Sequence, residues 1–161
     1  MEAKLKGPER IQAALAAAGL DIEVVQLEDS ARTAKLAAQA LQTELGSIVK
    51  SLVFIADDQP VLVLVAGDRR VDTRKLKRLL SASDVSIADA DTVRQQTGFS
   101  IGGVPPVGHA KELPTWIDGS LGRFQTVYAA AGGPHAVFPI PYPMLLQVTG
   151  GQVADVTETT S

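Results

Sequence analysis

At 161 residues the chain has the size of one domain, and its 45% apolar and 20% charged residues are ordinary globular usage, which excludes disorder and fibrous architectures. The lack of any cysteine removes disulfides, thiolate zinc sites and cysteine nucleophiles, and agrees with a reducing interior. A formal charge of −3 argues against indiscriminate coating of nucleic acid, and with no signal-peptide core and no apolar run near the ~20 residues of a membrane span, a soluble cytoplasmic protein is expected.

Pro8 opens a stretch in which Ile11, Ala14, Leu15 and Ala18 share one helical face and Gly19 closes it, predicting a first helix. Residues 22–27 read as a strand. Thr33 is placed to cap a second helix, with Leu36, Ala40 and Leu41 inward, ending near Gly46. Two β-branched runs, Val49–Ala56 and Val61–Ala66, flank Asp57-Asp58-Gln59-Pro60, the pattern of a buried hairpin at the centre of a sheet. Asp72 predicts a third helix with Leu76, Leu79 and Leu80 inward, and Asp89 to Gly98 a fourth, short one. From Ile101 to His109 glycine and proline preclude a helix or central strand, so a shaped loop is expected. Further strands are expected at residues 115–117, 126–130, 136–139 and 152–156, with a helix at 143–149 and a frayed tail from Thr157.

With aromatics at 4%, the core must be built from Val, Leu, Ile and Ala. No repeat, linker or low-complexity segment divides the chain. The expected fold class is mixed α/β (α+β): a single compact domain over residues 1–161, with a core from about 10 to 156, on a mixed, largely antiparallel sheet flanked by helices.

Charge is unevenly spread. Arg69, Arg70, Arg74, Lys75, Lys77 and Arg78 crowd one short stretch against the single acid Asp72, which leaves the rest of the chain strongly acidic. Such a patch suits a polyanion gripped at one place, or else a solvated helix face.

Conventional catalytic motifs are missing. His109 and His135 lack zinc-site spacing, and there is neither a G-x-S-x-G elbow nor a G-x-x-x-x-G-K-[ST] phosphate loop, so no metal and no cofactor is expected. Lys50 stands at the mouth of an apolar strand, where its ammonium either snorkels to water or holds a phosphate or an adenosine. The run Gly102-Gly103-Val104-Pro105-Pro106-Val107-Gly108-His109 is either a structural turn or a rigid wall of bare amides suited to a ligand carbonyl and its developing oxyanion. His109 is a satisfied loop histidine or a general base. Asp118 reads first as a turn former or cap, and Ala131-Gly132-Gly133-Pro134-His135 as a second glycine loop.

Taken together, Thr33-Ala34-Lys35-Leu36-Ala37-Ala38, Ile48-Val49-Lys50-Ser51-Leu52-Val53-Phe54, Gly67-Asp68-Arg69-Arg70-Val71-Asp72, the Gly102–His109 loop, Ile117-Asp118-Gly119-Ser120-Leu121 and Ala130-Ala131-Gly132-Gly133 form a pattern. It resembles, in order and from about residue 10 to 156, the YbaK/ProX family of aminoacyl-tRNA editing domains, relatives of the insertion domain of bacterial prolyl-tRNA synthetase. The resemblance implies a compact mixed-sheet fold that hydrolyses the ester between an amino acid and the terminal adenosine of tRNA. It implies that Lys50 anchors the terminal nucleotide near its phosphate. Gly102 and Gly103 would position the attacking water and the ester carbonyl, and a ribose hydroxyl of the substrate would help activate the water. Thr33, Val104, Pro105, Asp118, Ala131, Gly132, Gly133 and His135 become candidate substrate contacts, and the basic patch a tRNA contact.

The cysteine-selective branch of that family carries Ser before its second glycine pair and Lys-Arg after it, where this chain has Ala131 and Pro134-His135. The resemblance therefore assigns the activity without the amino acid, and a small pocket of Val, Ala and Gly favours Ala, Ser, Pro or a similar residue. Three functions are in play. The leading one is a free-standing deacylase acting in trans on the acceptor end of aminoacyl-tRNA. The second is a non-catalytic module that binds tRNA ends or an aminoacyl-tRNA synthetase. The third, a hydrolase of small acylated nucleotides, would have no need of the basic patch. A monomer and a homodimer fit equally.

Overall fold

The computed structural model describes residues 6–159. Pro8 fills the first turn of helix α1 (Gly7–Ala17), and Ile11 and Leu15, one turn apart, are its buried side chains. Strand β1 is only Val25–Gln26 rather than the full run 22–27. The preceding residues take a helix side chain as partner instead of a strand: Gln12 Nε2 donates to the Ile22 carbonyl (2.7 Å) and Gln12 Oε1 accepts from the Val24 amide (2.8 Å).

Thr33 caps α2 (Ala34–Leu41), its hydroxyl accepting from the Leu36 amide. The buried face differs from the expected one. Ala37 and Ala38 pack on Ile48, while Leu36 is 41% exposed, and the helix ends at Gln42 in the left-handed region rather than near Gly46. Small alanines let the helix lie close to the sheet.

The central hairpin, β2 (Val49–Ala56) and β3 (Gln59–Ala66), closes through Asp57 and Asp58, both at positive φ. That two-residue turn matches the twist of the strands and draws Gln59 and Pro60, expected in the connection, into β3. Helix α3 (Thr73–Leu80) is capped by Asp72 and buries Leu76, whereas Leu79, expected inward, is 37% exposed. A short strand that no sequence pattern announces, β4 (Val85–Ile87), follows; Asp89 then caps α4 (Ala90–Thr97), which Gly98 ends at φ +83. The remaining elements are β5 (Thr115–Asp118), β6 (Thr126–Ala130), β7 (Ala136–Pro141), α5 (Tyr142–Thr149) and β8 (Gln152–Ala154).

The architecture is mixed α/β and rich in antiparallel pairs, but the strands divide into two sheets rather than one. The larger runs β4-β2-β3-β5-β8, with β3, β5 and β8 parallel, and puts the hairpin at its centre as expected; the smaller runs β1-β7-β6, all antiparallel. Among the described residues one isolated bridge, Ile48 to Tyr128, joins the two sheets. The main core lies where the sheets face each other with α1, α4 and α5, through Leu15, Val53, Leu64, Val93, Phe138 and Leu145. The opposite face of the larger sheet packs Phe54, Val63 and Val65 on Leu76 of α3. No helix among the described residues is long and apolar enough to cross a membrane.

The tail is a correction. Thr157, expected to fray, is 5% exposed, bridges Val71, and offers its carbonyl to Lys75 Nζ at 2.7 Å.

Candidate active site

A cavity of about 310 Å³ lies between elements of the two sheets. Residues 48–53 of β2 and its approach form one wall, Tyr128–Ala130 of β6 and Val137 of β7 another, and Thr33, Ala34 and Ala37 at the start of α2 a third. Ile101, Gly102 and Val104 of the glycine loop close it with Ile87, Ala88 and Val93. The volume is at the small end of the roughly 300–1,000 Å³ usual for ligand sites. Ile87 and Ile101 are 63% and 56% exposed, an apolar pair at the mouth.

Lys50, Gly102, Thr33 and Val104, four residues singled out from the sequence, therefore border one hollow. Lys50 is half-buried, and its ammonium donates to the Arg69 carbonyl just past the end of β3. Burial pushes that ammonium below the ordinary lysine value, and Arg70 adds to the effect while Asp68 opposes it. Asp68 is in turn gripped by Arg123 (2.7 and 3.0 Å), and this hydrogen-bonded guanidinium holds its carboxyl below the usual range. Arg70 stands close enough to Lys50 to shift it, whereas Arg74, Lys77 and Arg78 lie on α3, which packs on the opposite face of the larger sheet with Lys77 near Asp57 at the hairpin turn, and Lys75 pairs with Asp155 at 3.0 Å. Arg69 lies 3.8 Å from Asp68.

Other candidates do not border the hollow. The Gly103 amide donates to Ser100 (3.0 Å) and its carbonyl accepts from Gly132 (3.1 Å), so this glycine ties the two glycine loops together. His109 hydrogen bonds through Nε2 to the Pro105 carbonyl (2.6 Å), which closes the loop and commits that nitrogen to donating. Burial holds the imidazole below the ordinary histidine value, the Pro105 carbonyl opposing and Arg10 adding to the shift. Ala131, Gly132 and Gly133 stand behind the loop, and His135 faces the Leu27 carbonyl (3.2 Å). Asp118, 2% exposed, binds backbone and hydroxyl groups of residues 120, 156 and 157 and lies beside a separate surface groove. Among the described residues, no three His, Asp or Glu side chains cluster so as to hold a metal ion.

A family model for the aminoacyl-tRNA editing domain matches residues 28–148. The chain belongs to the aminoacyl-tRNA editing domain family. Among its relatives is the uncharacterised YwhH protein of Bacillus subtilis (strain 168), 37% identical over 111 residues that cover 68% of this chain and 70% of that protein. The proline–tRNA ligase of Lactobacillus gasseri is 45% identical over 71 residues, 44% of this chain and 13% of the ligase. A crystal structure of a candidate trans-editing enzyme for prolyl tRNA synthetase superposes with a TM-score of 0.91 at 44% identity, covering 98% of this chain and 100% of that one.

In this editing domain the two loop glycines have different tasks. Gly102 sits at φ +86, and a β-carbon there would meet the Arg32 carbonyl oxygen at 2.9 Å; at Gly103 the nearest atom is 3.6 Å away, ordinary contact. Gly102→Ala should therefore cost about 1–3 kcal/mol in urea unfolding and shift the cavity wall, while Gly103→Ala stays within about 1 kcal/mol of wild type. Equal losses at both positions would refute this division.

The sequence reading missed several cavity residues: Arg32, Ser51, Tyr128, Ile87 and Ile101. Ser51 carried a usable signal, since a hydroxyl amid a β-branched apolar run needs a reason. Ile101 adjoins the glycine pair that the sequence marks, while Arg32, Tyr128 and Ile87 come from segments far apart in sequence with no local pattern that links them.

Proposed function

We propose that this protein is a trans-acting deacylase that hydrolyses the ester of mischarged aminoacyl-tRNA. The observation that carries the reading is the convergence of Lys50 and Gly102 on one small, mainly apolar cavity in a chain of the editing family. The aminoacyl ester enters the hollow, and the Lys50 ammonium at its edge meets the phosphate of the terminal nucleotide. Water attacks the ester carbon, backbone amides of the glycine loop face the developing oxyanion, the C–O bond to the ribose breaks, and the ribose oxygen takes up a proton. An aminoacyl ester is already activated, so orientation and oxyanion stabilisation, worth several kcal/mol, suffice without a covalent nucleophile. Walls of Val53, Val93, Val104, Ala129 and Val137 favour a small amino acid.

Incubating the pure protein with Ala-, Ser-, Cys- and Pro-charged tRNAs in parallel tests this. Release of a small amino acid from at least one of them, faster than spontaneous hydrolysis, is the expected result. Tight binding of charged tRNA without release from any of the four would replace the deacylase with a binding module.

A further inference from the structure

β2 is paired with β3 along its whole length, but its other edge has neighbours only at its ends. At one end Ile48 bridges Tyr128; at the other the Ala88 amide donates to the Val53 carbonyl (2.9 Å), where the pairing with β4 begins. Between these points no strand among the described residues covers the edge, and the gap is a wall of the cavity. Backbone groups alternate from one edge of a strand to the other. Ser51, two residues before Val53, therefore turns its amide and carbonyl to the same uncovered edge.

The side chain adds a second, independent observation. Ser51 Oγ is buried and has no hydrogen-bond partner. A period of two puts it on the face that carries Val49 and Val53 into the main core, toward the hollow. Buried hydroxyls are almost always satisfied, so an unsatisfied one on a cavity wall marks a place where a ligand supplies the missing partner. The rest of the lining is mostly Val, Ala and Ile, with Arg32, Thr33, Lys50 and Tyr128 the polar exceptions, and among the described residues no carboxylate lines the cavity.

Every aminoacyl ester brings an α-amino group into such a site, with N–H donors that need acceptors. We propose that Ser51 is the receptor for that group: one N–H donates to Ser51 Oγ and another to the Ser51 carbonyl oxygen. The proposal rests on the deacylase reading and adds a substrate requirement to it, that the amine be free. An N-acylated ester, as in peptidyl-tRNA, loses donors and carries a carbonyl and bulk into the same spot, so the site excludes it.

The test compares wild type, Ser51→Ala and Ser51→Thr on the fastest aminoacyl-tRNA of the panel and on its N-acetyl derivative. In parallel, binding is measured for the non-hydrolysable amide 3′-alanylamido-3′-deoxyadenosine and its N-acetyl form. Wild type should prefer the free amine by about 100-fold; Ser51→Ala should lower kcat/KM for the free amine by about 10–100-fold, leave the N-acetyl ester unchanged and so erase most of the preference, and Ser51→Thr should restore it. Full activity of Ser51→Ala on the free-amine ester, or equal losses on both esters, overturns the proposal. Should wild type release nothing from any charged tRNA, the deacylase reading fails by itself. The amide pair then decides: a free-amine preference that vanishes in Ser51→Ala upholds the Ser51 assignment, and no binding or no preference ends it.

Discussion

Asp118→Ala should lower the stability of the protein by about 3–5 kcal/mol while leaving the turnover of each folded molecule intact. The carboxylate is 2% exposed. Its Oδ1 accepts from the Val156 amide (2.9 Å) and the Thr157 hydroxyl (3.2 Å), and its Oδ2 from the amide (3.1 Å) and hydroxyl of Ser120. One side chain thereby pins the turn after β5 to the C-terminal segment, which in turn bridges Val71 and holds Lys75. Alanine strips acceptors from two backbone amides at once, and a buried donor left unsatisfied costs its full desolvation penalty, about 1–3 kcal/mol each. Asp118→Asn should fall between, because its Nδ2 would face the Ser120 amide donor to donor. Urea midpoints followed by circular dichroism measure the loss, and kcat/KM per folded molecule separates it from chemistry. A fully stable but inactive Asp118→Ala would return this residue to the substrate contacts from which its position excludes it.

That residue illustrates what the sequence makes legible. Features decided within a few residues read correctly: the caps Thr33, Asp72 and Asp89, the stop at Gly98, and the hairpin around Asp57-Asp58 all follow from local hydrogen bonding and backbone sterics. Features decided across the chain do not. Nothing near residue 22 announces that Gln12 will occupy the partners of a strand, and nothing near Thr157 announces that Asp118 will bury it. The way the two sheets meet depends on a bridge between Ile48 and Tyr128, segments brought together only in the folded chain. At the site, glycine and lysine stood out because their types are unusual in their surroundings, and both border the cavity. His109 and Asp118 stood out for the same reason, yet the fold uses them to satisfy its own backbone. Ser51 is conspicuous in the sequence only as a hydroxyl in an apolar run; that it lacks a partner is visible only in the folded chain.

Lys50→Met should reduce kcat/KM on mischarged tRNA by about 100–1,000-fold and leave the melting temperature within a few degrees of wild type. The two halves of this prediction follow from one arrangement. Half-burial beside Arg70 disfavours the ammonium, so the fold gains little from its charge, and water replaces it at the Arg69 carbonyl. A phosphate at the cavity edge reverses the balance, because a desolvated cation with an anion beside it interacts far more strongly than it would in bulk water. Lys50→Arg should recover only part of the rate: a planar fork aims its donors differently from a compact ammonium. The pH dependence has a definite sign. The charged form is present at low pH and is lost as pH rises through a value already below that of free lysine, so this residue's contribution to kcat/KM declines on the alkaline side. In Lys50→Met that alkaline decline should vanish, the background of spontaneous ester hydrolysis being subtracted at each pH. A variant that kept the wild-type rate and profile would show that the ammonium at the strand mouth serves Arg69 alone, and the tRNA end would then have to be held by another group at the cavity.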